Sequence, residues 1–241
     1  MGVRVEGLTF GGELDILEGR LNTVDADLWV IVEADKTFTG TPKPYTLAEN
    51  WERFAPFHDR IKYVQVTMPT LDPWGCDFWQ RDQVGAALEE LGLADDDLVG
   101  LFDVDEWPDR WVEDLSAWLM PKYHMALHWF HKMELTGVMG RYEHFRGRSV
   151  NELRWARNSM PVVEGGWHFT SMGSLDYLIR KVRGFAHTEL VTGDVDERLA
   201  HCWTHGHDLA GEWFTEVDNL SMMPAWVQEM KFPKDWYRVR L

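Results

Sequence analysis

The tetrapeptide Asp-Val-Asp-Glu occurs twice, at residues 103–106 and 194–197. Two carboxylates one residue apart can hold a hard divalent cation, directly or through water. A cation held there can grip a diphosphate and neutralise the charge that builds on it as it leaves. Context separates the two copies. Asp103 and Asp105 follow residues 98–102, LVGLF, an apolar run of strand length. In an open α/β sheet ligands bind beyond the carboxyl ends of the strands, so this copy stands at the edge where chemistry is expected. Asp25/Asp27 and Asp95/Asp97 precede apolar runs and fall at the opposite edge. The second tetrapeptide follows Thr192-Gly193 and reads as the start of a helix, its carboxylates complementing the dipole. A lone D-x-D is a weak signal, and a solvated turn leading to an N-cap at Asp109 is the competing account of the first copy.

The elements that must carry Asp103 and Asp105 follow from periodicity. Strands are predicted at residues 3–8, 28–32, 61–66 and 98–102, and helices at 13–23, 50–57, 79–91, 109–119 and 175–183. Residues 37–45, with one glycine and two prolines, form a loop. Trp111 and Trp118 share a helical face at i, i+7 and read as a packing stripe. Residues 123–169 show no clear period. Alternation of strands and helices is the pattern of a mostly parallel, Rossmann-like sheet flanked by helices, and without a linker or repeat a single domain over 1–241 is expected.

Composition narrows the function. Lys and Arg number 24 against 40 Asp and Glu, and a net charge of −16 repels a nucleic-acid backbone. Arg141, Arg146, Arg148, Arg154 and Arg157 form the nearest approach to a basic stretch, diluted by Glu143 and Glu152. No leader or membrane-spanning run is visible, and the two cysteines, Cys76 and Cys202, form no C-x-x-C pair, so a reducing cytoplasm is the expected location. His201, His205 and His207 beside Cys202 have a spacing that could bind zinc, but Gly206 breaks the segment and a polar turn is the better account. His124, His128 and His131 lack a carboxylate or cysteine nearby in sequence and read as packing residues.

Several blocks, in order over residues 8–190, resemble glycosyltransferase family 17, which includes β-1,4-mannosyl-glycoprotein N-acetylglucosaminyltransferases. They are FGGELDILEGRL at 10–21, VIVE at 30–33, TGTPKP at 39–44, QRDQ at 80–83, DVDEWP at 103–108, GWHFTSMG at 166–173 and KVRGFAHTE at 181–189. Gly11 stands where the family usually has Asn, and no anchor or stem precedes the blocks. The resemblance implies a GT-A-like fold, with a donor-binding half of about residues 1–120 and an acceptor half of about 121–241. It also implies a nucleotide-sugar donor, UDP-GlcNAc first, and Mn²⁺ or Mg²⁺ held by Asp103 and Asp105. A glycan or other hydroxyl-bearing acceptor would complete the reaction, in a soluble enzyme outside a Golgi pathway.

Roles follow from those blocks. Transfer with inversion needs a carboxylate base on the acceptor side; Glu164, Asp176 and Glu189 are candidates, with Glu189 first because it lies in the His-Thr-Glu segment. His168 and His187 could complete a metal shell or donate to diphosphate oxygens, and a core histidine is the alternative for either. Glu33 ends a strand at the functional edge and could accept from uracil or ribose hydroxyls. Arg81 could pair with phosphate, with Lys43 adding a point charge. Glu13 and Asp82 lie in the same family-like blocks and join the donor-site candidates. Trp107 and Trp167 flank the proposed chemistry and offer indole faces to a pyranose. A metal-dependent hydrolase of nucleotide sugars or other diphosphates, and a non-catalytic carbohydrate-binding domain, are the competing functions.

Overall fold

The computed structural model describes residues 2–229 and 231–237 as a single α/β domain around one curled, mixed sheet. In chain order, β1 (Arg4–Phe10), α1 (Leu14–Thr23), β2 (Leu28–Ala34), α2 (Thr46–Glu49), β3 (Ile61–Val66), α3 (Pro73–Glu89) and β4 (Leu98–Leu101) make the first part. The short helix predicted at 50–57 is a 3-10 helix, Trp51–Arg60. Then come β5 (Glu106–Trp107), β6 (Ser116–His124), β7 (Trp129–Arg141), α4 (Val150–Ala156), β8 (Val162–Glu164) and β9 (Trp167–Thr170). The chain continues through α5 (Leu175–Gly184), α6 (Val195–His205), β10 (Thr215–Glu216) and α7 (Ala225–Gln228).

The strand order is β3-β2-β1-β4-β7-β6-β9-β5, with β10 on β7 and β8 on β6. The first four strands are parallel, as expected. Beyond β4 the sheet turns antiparallel through β7, and the long β6–β7 hairpin and the β5–β9 pair are antiparallel too. The expectation of a mostly parallel sheet is therefore corrected to a mixed one. The helix predicted at 109–119 is also corrected: β6 begins at Ser116. Ser116, Ala117 and Trp118 are all buried, and a strand covered on both faces shows no alternation by which to tell it from a helix.

Alternation does set the core. Along β2, Trp29 and Ile31 enter the cluster that holds Leu17, Trp107 and Phe169, while Val30 and Val32 enter the one that holds Val84, Leu101 and Val138. Successive side chains on a strand point to opposite faces, so both faces of β2 are dry. α3 starts at Pro73 with Asp72 as N-cap, its carboxylate accepting from the Gly75 amide at 3.1 Å. Arg81 consequently sits in mid-helix rather than at its start. At Gly166 φ is +76° and a Cβ would stand 2.4 Å from the Trp107 carbonyl oxygen, so only glycine lets β9 close on β5.

Candidate active site

The turn after β4 is clamped from beneath by a buried arginine. Arg20, on α1, donates from Nη1 to the carbonyls of Asp103 at 3.1 Å, Val104 at 3.3 Å and Glu106 at 2.5 Å. Its Nε donates to Glu6 Oε2 on β1 at 2.8 Å, and neither side chain of the pair is exposed. Glu106 Oε2 accepts from the Asp103 amide at 2.9 Å and closes the turn. Asp103 and Asp105 are thus fixed by backbone contacts at the carboxyl end of β4, the edge expected from sequence.

The two carboxylates differ sharply in surroundings. Asp103 receives Arg81 Nη2 at 3.2 Å and Arg154 Nη2 at 3.0 Å, and Arg81 also pairs with Asp77. Arg154 reaches Glu106 as well, at 3.1 Å. Burial alone would raise the Asp103 carboxyl, but the two guanidiniums overcome it and hold it far below the usual carboxylate range. Asp105 is only 8% exposed, and its cations stand back: His168 Nε2 at 3.7 Å and Lys181 Nζ at 3.9 Å. Burial raises its carboxyl despite those two charges.

Both cations are held from behind. Lys181, on α5, pairs with Glu13 at 3.3 Å, and Glu13 Oε2 accepts from the Gly11 amide at 3.0 Å. His168, on β9, has Glu134 Oε2 at 2.9 Å from Nδ1, and Lys122 stands 3.1 Å from that same oxygen. Burial would lower the His168 pKa, yet the Glu134, Asp105 and Glu106 carboxylates outweigh it and raise it. A folded pKa above the free value of about 6.5 contributes stability that is whole below that pH and is lost as pH rises through the folded value. Melting curves of the wild type should fall on the alkaline side while His168→Gln stays flat there; parallel curves would remove His168 from the charged network.

A small cleft with about 10 Å³ of free volume opens between α3, α4 and the ends of β1 and β4, with Arg81, Asp103 and Arg154 in its wall. That is room for about one water and far below the roughly 300–1,000 Å³ of a ligand pocket, so a ligand would lie along the open edge and not inside it.

Of the residues expected from sequence, the fold brings together Glu13, Arg81, Asp103, Asp105 and His168. It seals others off. Glu33 is fully buried and accepts from Lys43 Nζ at 2.9 Å, the Thr46 amide at 2.7 Å, the Leu47 amide at 3.0 Å and the Tyr63 hydroxyl at 2.7 Å. Glu33 and Lys43 therefore satisfy each other while Glu33 caps α2. Asp82 accepts from Ser149 Oγ at 2.8 Å and ties α3 to α4. Trp107 is completely buried between Phe169 and Phe232, which leaves no face for a sugar, and Trp167 donates to the Met222 carbonyl at 3.1 Å. Glu189 and His187 pair at 2.7 Å with side chains 60% and 50% exposed, and Glu164 and Asp176 are exposed. Among the described residues, Asp103, Asp105 and His187 do not converge on one metal position.

Arg154, Lys181, Glu134 and Arg20 complete the charged centre, and sequence reasoning gave them no role. Arg154 was visible only as one residue of a diluted basic stretch; Lys181 lay in a family-like block, where its register four residues after Tyr177 was the available signal. At the end of α6, His201 Nδ1 meets His207 Nε2 at 2.9 Å and Gly206, with φ +78°, ends the helix. That agrees with the polar turn read from sequence.

Residues 4–210 match the family model described as glycosyltransferase family 17. No curated protein matches the chain. Among solved structures, a nucleoside-diphosphate-sugar pyrophosphorylase from Vibrio cholerae RC9 is similar at 9% identity with a TM-score of 0.36, over 74% of this chain and 99% of that one.

Proposed function

Because the chain belongs to glycosyltransferase family 17 and is a glycosyltransferase, we propose that it moves a sugar, N-acetylglucosamine from UDP, onto a hydroxyl acceptor with inversion, on a GT-A-like scaffold. The donor is assigned to about residues 1–120 and the acceptor to about 121–241. The observation that carries this reading is Asp105: a buried carboxylate on a rigid turn, whose cations stand beyond hydrogen-bond length. Such a group would hold a divalent ion, Mn²⁺ or Mg²⁺, because its oxygens are not consumed by the protein. Asp103 fits less well as a direct ligand, since Arg81 and Arg154 occupy it. When bound, the ion supplies Lewis-acid stabilisation of the departing diphosphate.

The chain's own groups do the rest. Arg81 and Arg154 orient Asp103 and bring permanent positive charge to the open edge where a diphosphate would lie. Lys181 and His168, whose carboxylate neighbours favour its protonated form, flank Asp105 and offset negative charge that develops there. Trp155, Phe78, Trp74 and His187, drawn from both halves of the chain, form a row of ring contacts at 5.2, 5.9 and 4.5 Å that we assign to the acceptor. Trp155 and Trp74 are exposed, and indole faces suit pyranose rings. Glu189 meets His187 at the end of this row, and that contact lowers its carboxyl; it is ionised, as a base must be. Incubation with UDP-GlcNAc, Mn²⁺ and a panel of oligosaccharide and simple glycoside acceptors tests the assignment. Acceptor-dependent release of UDP with a mass increase on the acceptor is expected. Equal UDP release without any acceptor would assign the site to hydrolysis instead.

A further inference from the structure

Two residues along β6 from Lys122, which pairs in register with His168, the far end of the β6–β7 hairpin meets the turn that follows α6, and the residues found there are His124, His131 and Asp208. One nitrogen or oxygen from each lies within 4.8 Å of the others, the only such His/Cys/Asp/Glu trio among the described residues. We propose that these three side chains bind a structural transition-metal ion of the zinc class, with ligands distinct from Asp105.

Three observations support the site. First, the imidazoles have spare capacity: the Nδ1 atoms of both His124 and His131 are buried without a hydrogen-bond partner, and the His131 side chain is only 4% exposed. A buried, unsatisfied ring nitrogen costs free energy unless something binds it. Second, the carboxylate is preset. Asp208 Oδ1 accepts from the Glu212 amide at 2.9 Å, and the Asp208 amide donates to the Glu212 carbonyl at 3.0 Å. Oδ2 is left 3.8 Å from His131 Nε2, too long for a hydrogen bond, so the His131 ring does not satisfy that oxygen. Third, the donor set is chemically selective. Two imidazoles with a carboxylate favour zinc-class ions over Mg²⁺ or Ca²⁺, which prefer all-oxygen shells. Glu212, 2.6 Å from His131 Nε2 and 2.8 Å from Lys132, already holds that side of the ring and leaves the unpartnered Nδ1 as its spare nitrogen.

Metal–ligand distances of about 2.0–2.2 Å place tetrahedral ligand atoms roughly 3.4 Å apart, so the trio would draw in by about an ångström. The ion would then join the hairpin to the segment that leaves α6. That segment returns to β7 through β10, and α6 packs on α5 around Leu178, Val182, Leu199 and Cys202. Because α5 also carries Lys181, metal at this site would stiffen the lobe that presents Lys181 to Asp105.

The test is metal content and titration of the full chain after chelator treatment and dialysis, with Zn²⁺ and with Co²⁺ as a spectroscopic probe. Asp105→Asn serves as the background that disables the donor-site ion. One equivalent of Zn²⁺ is expected to bind, to raise the melting temperature, and to give Co²⁺ visible bands of a four-coordinate site. Asp208→Asn, which retains the Oδ1 contact and the fold, should weaken binding at least tenfold, and His131→Gln should abolish it. His201→Ala, in the neighbouring histidine turn, should leave it unchanged. Failure to take up Zn²⁺, uptake that survives both His131→Gln and Asp208→Asn, or uptake lost in Asp105→Asn or His201→Ala would each overturn the proposal.

Discussion

Asp105→Asn is expected to lower kcat/KM for sugar transfer by about 10³-fold, roughly 4 kcal/mol of transition-state stabilisation, with the fold intact. Asparagine keeps the size of the side chain, and Asp105 contributes its charge to no contact shorter than the 3.7 Å to His168 and 3.9 Å to Lys181. Burial already disfavours that charge, so the neutral amide costs the protein little, and the melting temperature should hold or rise. What is lost is the carboxylate able to bind a divalent ion at the carboxyl end of β4. Initial rates at sub-saturating donor with saturating acceptor, alongside melting curves, separate the two effects. A variant within tenfold of wild type would show that Asp105 neither binds metal nor offsets charge in the reaction.

Arg20→Ala is expected to be the most destabilising single change, by about 3–5 kcal/mol, the usual result of stripping one partner from a buried ion pair. Glu6 would be left fully buried with its partner gone, and three carbonyls of the turn at residues 103–106 would lose their donor. Against a typical total of about 5–15 kcal/mol, the loss is large enough to shift the urea midpoint strongly. The double replacement Glu6→Leu with Arg20→Met separates stability from positioning. It should recover most of the stability, since an apolar pair of similar volume commonly replaces a buried ion pair without loss. It should not recover activity, because the acidic turn still lacks its clamp. Full activity in the double variant would show that the turn holds its shape without Arg20.

How much of this was legible in the sequence depends on how local the cause was. The parallel strands read clearly because β2 and β4 are short apolar runs and β1 alternates, and β3 falls on the predicted span. The site edge was legible too: a strand followed by Asp-x-Asp places carboxylates where ligands bind, whatever the rest of the chain does. The start of α3 was written in Asp72-Pro73, an N-cap followed by proline at the first helical position, but the expectation began at Trp79 and so misplaced Arg81 on its helix. β6 was missed for a different reason. Its residues are buried on both faces, and Trp111 and Trp118 happened to share a helical spacing while in fact packing in one cluster from a loop and a strand.

Partners contributed from far along the chain were not legible. Asp103 is defined by Arg81 and Arg154, 22 and 51 residues away, and nothing in the local sequence distinguishes its saturated carboxylate from the freer one of Asp105. Glu33 shows the converse. Its strand-end position suggested a ligand contact, but four donors from α2, β3 and the loop of residues 37–45 close around it. Position at an edge says where a side chain starts, and only the fold says whether its oxygens are free.

The central claim, that Asp105 and the cations around it form a metal-dependent nucleotide-sugar site, is tested most directly by donor binding. Thermal stabilisation of wild type and Asp105→Asn by UDP-GlcNAc should be measured with Mn²⁺ and with chelator. At a donor concentration 100 times the dissociation constant, binding adds about 2.7 kcal/mol to the stability of the native state. The account predicts that shift in wild type with Mn²⁺, and its loss both with chelator and in Asp105→Asn. Equal stabilisation under all four conditions would show a donor held without metal or Asp105, and would contradict the account.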